Sequence, residues 1–136
     1  MKKIKIFLTI FTIMILIKLI LFGITVYNTY YKIGEFNLET YEEEFDELID
    51  ISLEKIENSE DAKIKAKKVF LKKYDKKDVI KNEPFTVSYD DKNKVWLVEG
   101  TYEFECYLPN VGCSGGIMHI LIQENNGVVL AIWYDK

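Results

Sequence analysis

One histidine and two cysteines among 136 residues leave little from which to build an active site or a metal centre. His119 stands alone, and the sequence places no nucleophile or orienting carboxylate beside it, so acid-base and nucleophilic catalysis lack a visible constellation. Cys106 and Cys113 follow a Cys-x6-Cys spacing with no flanking pair, a poor match to a structural zinc site. Gly115-Gly116 lacks the following helix and lysine of a phosphate loop, and Ser114 lacks a nucleophile-elbow context. The carboxylate run Glu42-Glu43-Glu44 with Asp46, Glu47 and Asp50 lacks the Asp-x-Asx-x-Asx-Gly pattern of a calcium loop. No long basic stretch interleaved with aromatics is present, and the net charge of −4 opposes nucleic-acid binding. The expectation is a non-enzyme without cofactor, metal or small-molecule substrate, acting through a protein surface.

Alanine is also missing before Ala62, and no small-x-small triplet follows the apolar N-terminus, which disfavours a signal-peptidase site. What is there instead is Met1-Lys2-Lys3-Ile4-Lys5 followed by Ile6 to Tyr27, apolar apart from Lys18, three threonines and Gly23. That length spans a bilayer as a helix. An uncleaved anchor is therefore expected, a cleaved signal peptide being the competing reading; the lack of a cysteine there excludes a lipoprotein anchor. Lys18 costs about 2.5–3.5 kcal/mol near mid-membrane, a penalty that snorkelling and the apolar run offset. Three lysines precede the span and Lys32 alone follows it, so the positive-inside rule leaves the N-terminus cytoplasmic and the folded domain extracytoplasmic.

Charge is segregated along the chain. Residues 1–34 carry +5, residues 35–61 carry −11, residues 62–82 carry +7 and residues 83–136 carry −5. Leu38, Tyr41, Phe45, Leu48, Ile49, Leu53 and Ile56 recur at three- and four-residue steps, which predicts an acidic amphipathic helix or linker over 35–58. Glu42, Glu43 and Glu44 are candidate contacts for a basic partner, or the solvated face of that helix. Asn58-Ser59-Glu60-Asp61 reads as a fresh N-cap. After it, Ala62, Ala66, Val69, Phe70 and Tyr74 line the inner face of a second helix with a lysine-rich outer face.

From Phe85 onward the period changes to two. Phe85 to Tyr89, Val95 to Tyr107, Ile117 to Gln123 and Val128 to Tyr134 read as four antiparallel strands, the last two joined by an Asn-Gly turn. On the long strand Trp96, Val98, Tyr102, Phe104 and Cys106 share one face and Glu99, Thr101, Glu103 and Glu105 the other, which predicts one packed face and one wet face. Gly100 marks a bend. Cys106 and Cys113 bracket a Pro- and Gly-containing loop and are a disulfide candidate, two free thiols being the alternative. The arm around Tyr107, Leu108, Pro109 and Val111 is more apolar than an idle loop needs and is a candidate partner contact.

Taken in order, Ala62-x3-Ala66-x2-Val69-Phe70-x3-Tyr74, Glu83-Pro84-Phe85, Val95-Trp96-Leu97-Val98-x-Gly100, Gly115-Gly116, Ile120-x-Ile122 and Asn126-Gly127-Val128-Val129-Leu130 resemble the immunity proteins of the nuclear transport factor 2 fold. The resemblance covers about residues 55 to 134. It implies an α+β domain, helices on a curved antiparallel sheet of about four strands, that protects bacteria by binding and neutralising a cognate polymorphic toxin. Trp96, Gly100, Gly115, Gly116 and Gly127 match family positions, where folding explains them as a core anchor, a bend, close approaches and a turn.

The expected organisation is thus a membrane anchor at 1–34, the acidic segment at 35–58 and the immunity domain at 59–136, a single-pass membrane protein whose partner is a toxin. A second reading is a membrane-tethered regulatory or inhibitory module resembling peptidase-propeptide domains, acting on a protease or cell-envelope enzyme.

Overall fold

The computed structural model describes residues 2–30, 32–45, 49–101 and 116–135. It divides into two units, residues 1–32 and 33–136. The first is one helix, α1 (Lys2–Tyr30), whose stretch Leu8–Asn28 has a mean hydropathy of 2.4 over 21 residues. By length and composition it can cross a membrane; a signal sequence near an N-terminus meets the same criteria.

The second unit is built on a mixed five-stranded sheet in sequential order: β1 (Gly34–Glu35), β2 (Thr86–Asp90), β3 (Val95–Glu99), β4 (Ile117–Gln123) and β5 (Val129–Asp135). The pairs from β2 to β5 are antiparallel, whereas β1 runs parallel to β2. The expected four strands are therefore five. The extra one escapes sequence reading because two residues carry no periodicity and only pairing with Ser88 and Tyr89 defines them as a strand.

Two short turns set the register. At the β2–β3 turn, Asp90 accepts from the Asn93 amide, and Lys94 takes up a left-handed φ of 55°. Gly127, at φ 65°, closes the β4–β5 hairpin, and a Cβ there would also strike the Leu53–Glu54 backbone.

Helix α2 (Ser59–Lys73) starts where Asn58 caps the Asp61 amide, and it lays Ala62, Ala66, Val69 and Phe70 on the sheet. A main core forms there with Trp96, Val98, Met118, Ile120 and Ile132. Helix α3 (Lys76–Lys81) adds Val79 and ends at Asn82.

The segment before α2 departs from expectation. In place of an amphipathic α-helix over 35–58, a 3-10 helix spans Leu38–Glu44, and the chain is extended further on. Ser52 bridges Val128, Leu53 donates to the Gly127 carbonyl, and Val129 donates to the Ile51 carbonyl. Ile49, Ile51 and Leu53 therefore pack on the core at a spacing of two rather than along a helical stripe. Backbone hydrogen bonds offered by the β4–β5 turn decide the conformation.

The face of the sheet expected to be wet is a second core. Val95, Leu97, Leu121 and Ala131 are buried there beneath Phe36, Leu38, Tyr41 and Trp133. As for the predicted long strand, regular pairing in β3 stops at Glu99, and residues 102–115 lie outside the described residues.

Asn82 stitches the layers together and is fully buried. Its Oδ1 accepts from the Met118 amide at 2.9 Å, its Nδ2 donates to the Asp78 carbonyl at 3.0 Å, and its carbonyl accepts from Thr101 at 3.0 Å. Gly100 must be glycine here, because a Cβ would collide with Asn82 Oδ1. Replacing Asn82 with alanine leaves the buried Met118 amide without its acceptor. Thermal unfolding of the detergent-solubilised chain is expected to show a loss of about 2–4 kcal/mol for Asn82→Ala; a loss under about 0.5 kcal/mol would refute the role assigned to Asn82.

Candidate functional site

The helical periodicity that buries Ala62, Ala66, Val69 and Phe70 turns Ile64, Lys68, Leu71 and Lys72 outward on one stripe. Ile64 and Leu71 are 55% and 42% exposed, on a surface otherwise dominated by lysine. Several of those lysines are paired. Lys63 meets Glu60 at 2.8 Å and Lys65 meets Asp61 at 2.7 Å, while Lys67 meets Glu83. Lys68, Lys72, Lys73, Lys76 and Lys77 make no ion pair among the described residues, Lys73 reaching the Ile132 carbonyl instead. Beside this stripe the extended 50–53 segment leaves a groove of about 500 Å³, with Ile51, Leu53, Val69 and Leu71 as apolar lining and Lys68 and Lys72 beside them. Asp50 also lines it.

On the opposite face of the sheet lies the acidic turn. Phe36 and Tyr41 meet edge to face at 5.7 Å, and Tyr41 also lies 5.7 Å from Trp133. Burial, with the negative charges of Glu99 and Asp135, holds the Tyr41 hydroxyl above its usual pKa. With Tyr41 turned inward, Glu42, Glu43 and Glu44 are exposed, and among the described residues they have no ion-pair partner.

Asp90 ties this turn to the sheet. It is 4% exposed; its Oδ2 accepts from the Leu38 amide at 2.8 Å and from Asn93 Nδ2 at 2.9 Å, and its Oδ1 accepts from the Asn93 amide at 3.0 Å. Burial pushes its carboxyl upward, but the Asn93 side chain and the amides of Leu38, Asn93 and Lys92 outweigh it and hold the pKa at about 2. A short link, Lys92 to Glu39 at 2.7 Å, runs alongside on the outside.

His119 is 7% exposed on β4. The sequence places no carboxylate beside it, yet strand register brings two. Nδ1 lies 3.1 Å from Glu99 Oε1 across the β3–β4 pair, and Nε2 lies 2.8 Å from Asp135 Oδ2, off the in-line direction of a hydrogen bond. The ring stacks on Trp133 at 4.8 Å and 4°. Stacked on one face and flanked by carboxylates, the imidazole joins the ends of β3, β4 and β5. No nucleophile lies against it among these contacts.

Of the other residues singled out from the sequence, Trp96 is buried in the main core with its ring 4.3 Å from Tyr89. Gly116 is buried against the Asp135 carbonyl. Gly115, the disulfide candidates Cys106 and Cys113, and the arm residues Tyr107, Leu108, Pro109 and Val111 lie outside the described residues. No disulfide and no group of potential metal ligands occurs among the described residues. The groove escaped sequence reading because its second wall exists only when residues 50–53 are extended. The one available signal was the alternation Ile49, Ile51, Leu53.

Residues 62–136 match the family model described as NTF2 fold immunity protein. The matched stretch holds almost all of α2, all of α3 and strands β2 to β5. Searches of curated proteins and of solved structures found no significant match.

Asp90 makes a testable contribution to stability. Its folded pKa lies below the usual 3.8, so its stabilisation is complete above about pH 4 and is lost as pH falls toward about 2. Thermal unfolding at pH 6, 4 and 2.5 should show the native chain losing more stability over the acidic interval than Asp90→Asn, and the variant should be less stable at pH 6. Parallel losses in the two proteins would remove Asp90 from this role.

Proposed function

The chain belongs to the NTF2 fold immunity proteins, and on that premise we propose that it is a non-catalytic immunity protein that binds and neutralises one cognate bacterial toxin. The observation that carries this is the family match, which takes in nearly the whole layered core from Ala62 onward. The surroundings of His119 support the non-catalytic part: the imidazole is buried against Trp133 between strand ends, where a substrate has little access. Neutralisation then rests on binding, and a blocking surface needs tight and selective contact rather than turnover.

In the same proposal α1 stays uncleaved and anchors the protein in the cell membrane. Its apolar stretch has the required length, and Lys2, Lys3 and Lys5 precede it while Lys32 alone follows closely. That asymmetry supports a cytoplasmic N-terminus and an extracytoplasmic domain, so the toxin would be met outside the membrane. The arm at 107–111 and the acidic turn Glu42–Glu44 are candidate contacts within this reading.

The test is affinity capture of the tagged full-length protein from its own cells, with mass spectrometry of the co-purifying proteins and of the N-terminal peptide. The expected result is a toxin domain captured together with a chain whose N-terminus is intact. Capture of only a peptidase or cell-envelope enzyme would replace immunity with the regulatory reading, and a mature N-terminus beyond Tyr27 would remove the anchor.

A further inference from the structure

We infer that the groove between α2 and residues 50–53 is the surface on which the toxin docks, and that it takes an acidic element carrying an apolar side chain. The inference rests on the immunity reading above and assigns that reading a face and a partner chemistry.

The packing of α2 does not require this face to be apolar. Ala62, Ala66, Val69 and Phe70 already bury the inner side, so Ile64 and Leu71 on the outer stripe add nothing to the main core. Single exposed apolar residues are ordinary, but Leu71 lines the groove together with Ile51, Leu53 and Val69, and Ile64 lies two turns away on the same stripe. A buried aliphatic side chain from a partner would give such a patch its binding energy.

Charge specifies the rest of the partner. Lys63, Lys65 and Lys67 on α2 are matched by Glu60, Asp61 and Glu83, and Lys73 reaches the Ile132 carbonyl, whereas Lys68, which acts on Asp61 only at longer range, and Lys72 line the groove with no ion pair among the described residues. Residues 62–82 carry +7 in a chain whose adjoining blocks carry −11 and −5. An acidic element is attracted by Lys68 and Lys72 and repelled by the exposed glutamates Glu42–Glu44 of the turn on the opposite face of the sheet, which steers encounter to one face. Lys68 and Lys72 outnumber Asp50 among the charges lining the groove, so the partner's carboxylates belong beside those lysines and away from Asp50.

Photo-crosslinking in the producing cells tests the assignment. The full chain is made with Leu71→p-benzoylphenylalanine, and separately with Glu43→p-benzoylphenylalanine on the acidic turn; both positions are exposed. The expected result is an adduct from position 71 with the toxin domain recovered by affinity capture, on a peptide where Asp or Glu flanks an apolar residue. Lys68→Glu with Lys72→Glu should then weaken binding of that toxin domain about tenfold or more, mainly through slower association, with unfolding temperature unchanged. Toxin adducts from position 43 alone, or adducts from position 71 only with lipid or a second copy, would overturn the docking face while leaving immunity intact. An unchanged affinity in the double variant would overturn the acidic chemistry. Absence of any toxin from both the capture and the adducts would remove the immunity reading, and this inference with it.

Discussion

The sheet of this protein is apolar on both faces, and the rest of its second unit answers that constraint. A strand such as β3, buried from Val95 to Val98, cannot present one side to water. Helices α2 and α3 cover one side. Phe36, Leu38 and Tyr41 cover the other, which accounts for the otherwise puzzling acidic turn. Its glutamates are the outer surface of a cover whose inner surface is aromatic. The NTF2 fold family match begins at Ala62, so that cover lies upstream of the matched region.

Two buried polar groups convert this layering into a specific structure. Asn82 joins α3 to β4 and to the chain leaving β3, while Asp90 joins the β2–β3 turn to the start of the 3-10 helix. Apolar packing alone would tolerate sliding of either cover. A carboxylate or amide that must satisfy several directed partners does not tolerate it, because each misplaced partner leaves a desolvated polar group.

Legibility from sequence followed the distance over which each feature is determined. The cap at Asn58, the inner face of α2 and the Asn126-Gly127 turn depend on neighbours within a few residues, and these were readable. Residues 49–56 were not. Their apolar positions satisfy both a helical and an alternating pattern, and the choice is made by carbonyl and amide groups of Gly127 and Val129 from the far end of the chain. The second core was hidden for a related reason, since its cover comes from residues that look helical and acidic. Of the candidate docking surface, the lysine-rich face was visible and the groove was not. The carboxylates around His119 became neighbours only through strand register.

The sequential strand order carries a consequence for synthesis. β5, the last of the five strands in chain order, pairs along β4 and supplies Ile132 to one core and Ala131 to the other. Contacts of the early segments, Gly34 with Ser88 and Ser52 with Val128, span most of the unit. The chain therefore cannot complete either core until β5 has emerged, and such non-local pairing folds slowly. Late closure of this kind keeps the polypeptide threadable until β5 has been made.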